Sequence, residues 1–217
     1  MTEVKPVLAI ETSGSLCGAA VYYSDYKFFE VSIQNKNVHA EKIFEAVDFV
    51  LKSAGVEPSD LSSVAVSSGP GSFTGLRIGM SAAKGIAFGA SLPIVSVPTF
   101  DAIALQLCGI LPENTTFALA NKVNVEELYF AKFQINANSF IFVEALEVIH
   151  KNELKDRTGD CIVFGNAVED NNYSVPKPEF VAKWSLINKD KMTYDFDYLE
   201  PDYLKNFIIH APAKAGL

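Results

Sequence analysis

The chain has 217 residues, 49% of them apolar, and a formal net charge of −8 at neutral pH. That composition suits one sizeable packed domain or two small lobes and excludes a disordered chain. It also excludes a tight, direct grip on nucleic acid, because the only arginines are Arg77 and Arg157 and the lysines are spread singly, with no basic stripe.

Three short β-rich runs open the chain, Val7–Glu11, Cys17–Ser24 and Phe28–Ile33, with turns at Thr12–Ser15 and Ser24–Lys27. Connections this short leave no room for crossover helices, so an antiparallel meander is predicted. A helix pattern runs from His39 to Ala54 and stops at Gly55 and Pro58. Its apolar positions, Phe44, Val47, Val50, Leu51 and Ala54, form the predicted core stripe, and Phe49 falls off that stripe beside Lys42 and Ala46. A strand at Val64–Ser67, a helix at Phe73–Gly89, a strand at Ile94–Val97 and a helix opened by Pro98 and Thr99 follow. The second half reads as β-richer: Phe117–Ala120, Leu128–Ile135, Phe140–Ile149 and Cys161–Phe164. Pro176, Pro178 and the aromatic-acidic segment Tyr194–Tyr203 suggest loops and a late short helix. Gly, Pro and Asn cluster between Gly109 and Asn114, which places a boundary there, with a first lobe at 1–109 and a second at 110–217.

Between the strand at Val64 and the helix at Phe73 lies Ser67-Ser68-Gly69-Pro70-Gly71-Ser72-Phe73-Thr74-Gly75-Leu76-Arg77-Ile78-Gly79. A strand, a glycine-rich turn and a helix N-terminus can together bind an anion, and Ser72 is placed to cap that helix. The same pattern serves as a sharp turn with no ligand. It lacks the Gly-Lys-Ser/Thr ending of a P-loop, the spacing of a dinucleotide loop and the serine position of a nucleophile elbow. A structural role is expected, since Arg77, the nearest cation, lies more than a turn into the helix.

This segment resembles the S-x-G-P-G-S-F-T-G-L-R-x-G signature of the bacterial TsaB family, also called YeaZ. Val7-Leu8-Ala9-Ile10-Glu11-Thr12-Ser13 resembles that family's opening L-A-I-D-T-S, His39-Ala40-Glu41 its H-S-E, and Glu200-Pro201-Asp202-Tyr203-Leu204 its C-terminal E-P-x-Y-L. The likeness is dense from Val7 to Ala104 and thin afterwards. At Asn121–Tyr129 the family's D-A-R-x-G-E-V-Y is replaced by Asn-Lys-Val-Asn-Val-Glu-Glu-Leu-Tyr. The resemblance implies an α/β, actin-like ATPase (ribonuclease H-like) fold of two lobes, the second degenerate. It implies a non-catalytic subunit in the formation of threonylcarbamoyladenosine on tRNA. Its partner would be the transferase TsaD in a heterodimer, with the ATPase TsaE joining, a homodimer when alone, and tRNA met only indirectly. ATP and magnesium would be used by the complex and not by this chain.

In actin-like ATPases an acidic residue and glycine-rich turns from both lobes hold the nucleotide. Here Glu11 with Thr12-Ser13-Gly14 reads as a vestigial nucleotide turn. Nine of the thirteen glycines precede Gly109 and no Gly-Gly turn follows it. An actin-like kinase or ATPase acting alone is the alternative function. His39, His150 and His210 are scattered without an H-x-x-x-H pair, so no metal or catalytic residue is assigned, and His39 reads as a capping or surface residue. Gly75, Gly79 and Ala83, four apart, form a ridge that admits either the protein's own sheet or a partner's helix. The resemblance makes Phe49, Lys42, Ala46, Gly75, Gly79 and Ala83 the expected partner contacts. No apolar run reaches the length of a membrane span and no secretory leader is visible, so cytoplasmic residence is expected. Cys17, Cys108 and Cys161 form no C-x-x-C pair and read as small buried apolar side chains.

Overall fold

The computed structural model describes residues 4–34, 39–168 and 173–204. Its first sheet joins β1 (Val7–Glu11), β2 (Leu16–Ser24), β3 (Lys27–Gln34), β4 (Ser63–Gly69) and β5 (Ile94–Pro98) in the order β3-β2-β1-β4-β5. The meander β1-β2-β3 is antiparallel, and β4 and β5 add in parallel, because each is reached through a crossover helix. These are α1 (His39–Ala54) and α2 (Phe73–Ala90). Both lie on one face of the sheet, where Leu8, Ile10, Val64 and Val66 meet Ile43, Val47, Val50 and Met80.

α3 (Thr99–Cys108) follows β5 and leads to a second sheet of β6 (Thr116–Lys122), β7 (Glu127–Asn136), β8 (Ser139–His150) and β9 (Ile162–Phe164). Its order, β8-β7-β6-β9, with β6 and β9 parallel, repeats β3-β2-β1-β4 without a fifth strand. The five-residue α4 (Leu154–Thr158) stands where the first half has the sixteen-residue α1. The fold is therefore the expected actin-like α/β arrangement with a degenerate second half. α3 is apolar all round because it is covered on both sides: Ala102 and Leu105 face the first sheet, while Phe100, Ile103 and Leu107 face Phe117 and Phe133 of the second.

One sequence expectation is sharpened and one changes. The late stretch from Pro176, read as loops and a late short helix, contains a ten-residue helix, α5 (Pro178–Ile187), whose Val181, Ala182 and Trp184 pack on the first sheet behind Val7, Ala9 and Ala65. Pro178 opens this helix at its first turn, where its missing N–H breaks no hydrogen bond. On α1 the core stripe holds at Ile43, Val47 and Val50, with Leu51 and Ala54 packed against it, but it gains Ala46 and loses Phe44, which is 58% exposed.

The ridge on α2 turns inward. A methyl group on Gly75 would lie 2.1 Å from the Thr12 carbonyl oxygen, and one on Gly79 would lie 2.1 Å from Thr12 Oγ1. Ala83 is fully buried in the same core. Thr12 Oγ1 donates to the Gly75 carbonyl at 2.8 Å, so the helix sits directly on the β1–β2 turn. The outer ridge is a different set, Ser81, Gly85 and Gly89, exposed and again four apart. A methyl group on Gly85 or Gly89 would meet nothing within 4 Å.

Gly79→Ala is expected to lower stability by about 1–3 kcal/mol, through displacement of Thr12. Gly85→Ala should raise it by up to about 1 kcal/mol, since alanine is the better helix former and the site is open. Urea denaturation of the two variants checks both signs; equal effects would refute the inward placement of the Gly75–Gly79 ridge.

Candidate functional site

The carboxyl ends of β1 and β4 and the N-terminus of α2 converge on one turn, Thr12–Ser15. Glu11 closes β1 there, fully buried. Its Oε1 accepts from the Ser13 backbone N–H and from Ser13 Oγ, both at 2.5 Å, and its Oε2 accepts from Ser67 Oγ on β4. One carboxyl thus ties the turn to the neighbouring strand. Burial pushes the Glu11 carboxyl up from its ordinary 4.5 to about 7, and the bonds from Ser13 and Ser67 pull against that rise.

The Gly-Pro-Gly loop docks on the same turn. Ser72 N–H donates to the Ser13 carbonyl at 2.6 Å, and a side chain on Gly71 would strike that oxygen at 2.2 Å. Ser72 caps α2 as expected, its Oγ accepting from Gly75 N–H at 3.2 Å. Arg77 points to neither the cap nor the loop. Its guanidinium stacks 3.8 Å over the Phe73 ring, and its Nε–H donates to Tyr203 Oη at 2.9 Å. The C-terminal Glu200–Leu204 stretch is held here as well, with Asp202 N–H donating to the Ser68 carbonyl at 2.7 Å.

On its open side the turn faces the second sheet across a cavity lined by Ser15, Ser72, Asn121, Lys122, Tyr129 and Asn166. Val175 fills the point nearest the turn: a methyl group on Gly14 would lie 2.2 Å from Val175 Cγ1. The segment carrying Val175 is fixed at both ends. Asn121 Nδ2 donates to the Ser174 carbonyl at 2.8 Å, and Lys177 N–H donates to Gln106 Oε1 at 2.9 Å. Asn121 Oδ1 also accepts from Asn166 N–H at 2.9 Å. The replaced stretch at Asn121–Tyr129 therefore has an observed task, holding two loops over the turn, which sequence alone did not reveal.

The expected nucleotide residues Glu11, Thr12, Ser13 and Gly14 are thus brought together; Glu11, Thr12 and Ser13 are hydrogen-bonded within the protein, and Ser13 and Gly14 also line the cavity. Of the expected partner contacts, Ala46, Gly75, Gly79 and Ala83 are buried and are corrected to packing residues. Phe49 is 57% exposed, and Lys42 pairs with Glu45 at 2.8 Å within α1. The surface between the two helices is instead a groove lined by Ala40, Phe44, Arg77, Ile78 and Ser81. Sequence reasoning missed Phe44 because its spacing to Val47 and Leu51 fits a helical stripe equally well. His39 is corrected too: it is buried, with its ring Nε2 3.1 Å from the Leu16 carbonyl. His210 lies outside the described residues. Among the described residues no group of three or more His, Cys, Asp or Glu side chains is placed to hold a metal, and no helix is long and apolar enough to cross a membrane.

Because native Glu11 binds its proton more tightly than the unfolded chain does, this group contributes stability that is full below pH 4.5 and is lost as pH rises through about 7. The loss amounts to up to about 3 kcal/mol. Glu11→Gln should flatten that part of the curve, and unfolding at pH 4.5, 6 and 7.5 reads it. A wild-type slope that survives in the variant assigns the linkage to other groups.

The family model for TsaD, tRNA N6-adenosine threonylcarbamoyltransferase, matches residues 33–146. The chain is similar to the tRNA threonylcarbamoyladenosine biosynthesis protein TsaB of Bacillus subtilis, 28% identical over 92% of this chain and 93% of the relative. It is 32% identical to the protein of that name from Escherichia coli, over 68% of this chain and 63% of the relative. Among solved structures it is similar to a Pseudomonas aeruginosa protein described as resembling peptidase YeaZ, with TM-score 0.79, 19% identity and coverage of 93% of this chain and all of that one. At that identity the structural likeness carries the fold alone.

Proposed function

The chain belongs to the TsaB (YeaZ) family, and on that premise we propose that it serves tRNA threonylcarbamoyladenosine biosynthesis as a non-catalytic partner of a TsaD-type transferase. The observation that carries this reading is the filled turn. Val175 stands over Gly14, and the Ser13 N–H, a donor of the kind a phosphate would need, is already given to Glu11 Oε1. With the turn engaged by its own chain, the protein's exposed helices become its working surface.

That surface is the α1–α2 groove, with Phe44 and Ile78 in its walls and the open Ser81–Gly85–Gly89 ridge along α2. Small residues four apart let another helix approach closely, and an exposed phenylalanine beside them supplies apolar area. Phe49 and Lys42 do not line this groove; they lie on the opposite flank of α1, about 140–160° round the helix from Phe44. We assign the groove face to the transferase, and to a second copy of the chain when the transferase is absent. A TsaE-type ATPase joins the assembly, ATP and magnesium are used by the complex, and tRNA is met through the transferase, in keeping with the net charge of −8. The setting is cytoplasmic, and the two lobes are residues 1–109 and 110–217, the second returning α5 and residues 193–203 to the first sheet. An ATPase or kinase acting alone would need Val175 to leave Gly14.

Co-purification with the TsaD-type protein of the same genome tests the reading. Gly85→Leu should weaken capture by about tenfold or more while circular dichroism stays unchanged, because the bulky side chain stands on the open ridge and not in the core. With tRNA and threonylcarbamoyl-adenylate the chain alone should modify nothing, and addition of the transferase should start the reaction. Phosphate release from ATP and magnesium by the chain alone would favour the kinase-like alternative.

A further inference from the structure

A second surface borders α2, on the side away from α1. After α5 the chain bridges to β5, with Thr193 and Ile94 exchanging backbone hydrogen bonds of 3.0 and 2.9 Å. It then runs beside α2 as a strap, residues 194–203, with one turn in which Leu199 N–H donates to the Phe196 carbonyl at 3.3 Å, and ends at Gly69. Phe196 and Leu199 turn inward onto the core behind α2, and Phe196 meets Phe88 edge-on at 6.4 Å between ring centroids. Asp202 and Tyr203 fix the far end through Ser68 and Arg77. The strap is therefore anchored at both ends and twice between them.

What it turns outward is of one chemical kind. Tyr194 is 67% exposed and Tyr198 is 85% exposed, with Phe88 of α2 beside them at 76%. Asp195, Asp197, Glu200 and Asp202 are interleaved with them and exposed. Among the described residues none of these four carboxylates takes part in an ion pair. Tyrosines on a pinned backbone lose little conformational freedom on contact and are favoured where proteins bind one another. Unpaired carboxylates select a cationic counter-surface and repel a phosphate backbone. The strap is also continuous with the groove described above. Arg77 and Ser81 line the α1–α2 groove on one side and a cleft against Leu199, Glu200 and Tyr203 on the other.

We propose that residues 194–203 form the second wall of the partner face and take an arginine- and lysine-bearing surface of the protein that docks on α2. This rests on the functional reading given above, in which that protein is the TsaD-type transferase. The α1–α2 groove supplies apolar contact, and the strap supplies charge selection and aromatic anchors. A polyanion or an acidic surface is rejected by the same strap.

The test uses the full chain and the purified transferase of the same genome, with affinity measured calorimetrically at 50 and 500 mM salt. The double variant Asp195→Lys with Asp197→Lys should bind about tenfold more weakly at low salt, with the difference shrinking to about twofold at high salt. Tyr198→Ala should weaken binding about tenfold at both salts, since its contact is not a charge pair. If both variants bind like the parent while Gly85→Leu does not, the strap lies outside the interface and the proposal falls alone. If the charge reversal strengthens binding, the counter-surface is acidic and the proposal is overturned. A parent chain that binds no transferase removes the functional reading and the strap's role together.

Discussion

The fold is organised by one close approach, in which the backbone of the β1–β2 turn presses against the first turns of α2. Thr12 offers its carbonyl to Gly75 and its hydroxyl to Gly79 at distances that leave no space for a side chain on either glycine. Ser13 receives Ser72, and Glu11 draws Ser13 and Ser67 together from below. With those contacts made, α2 has only one rotation about its axis that keeps Leu76, Met80 and Ala83 in the core. Its outer side is thereby fixed as Arg77, Ser81, Gly85 and Phe88. The interior of the turn thus determines what the surface shows.

The backbone of this turn is held by α2 on one side and approached by Val175 on the other, with the cavity opening between. A carboxyl that burial pushes up to about 7 is costly to ionise. Three donors from Ser13 and Ser67 lower that cost enough for Glu11 to stay in place. Glu11 thereby ties the turn to the neighbouring strand.

Much of this was legible before any coordinates. β1 to β5 and α1 to α3 are local events: short β-branched or small-residue strands bounded by turn residues, and helices with clear stops. The cap at Ser72 was readable for the same reason. What was not readable is which side of a helix faces in. Gly75–Gly79–Ala83 and Ser81–Gly85–Gly89 have identical spacing, and only the position of Thr12, more than sixty residues earlier, separates them. Phe44 failed likewise, since its spacing to Val47 and Leu51 fits a helical stripe equally well. α5 was legible only as a late short helix without bounds, because a proline at the first turn of a helix looks the same in sequence as a proline that ends one. Asn121 carried no local signal at all, its partners being Asn166 and Ser174.

The position of α5 also bears on how the protein is made. It covers one face of the first sheet with Val181, Ala182 and Trp184, beneath strands that begin at Val7. About 180 residues separate the two in the chain, so during synthesis the first sheet waits, half-covered, for its last helix. At roughly 5–20 residues per second that wait lasts on the order of ten seconds or more. Over that interval Val7 and Ala9, joined by Val95 once β5 has been made, present an apolar surface that the finished protein hides. Contacts this distant in sequence form late and slow the approach to the native state. The nascent chain is most exposed to aggregation, and to helper proteins that shield apolar surface, before Trp184 has left the ribosome.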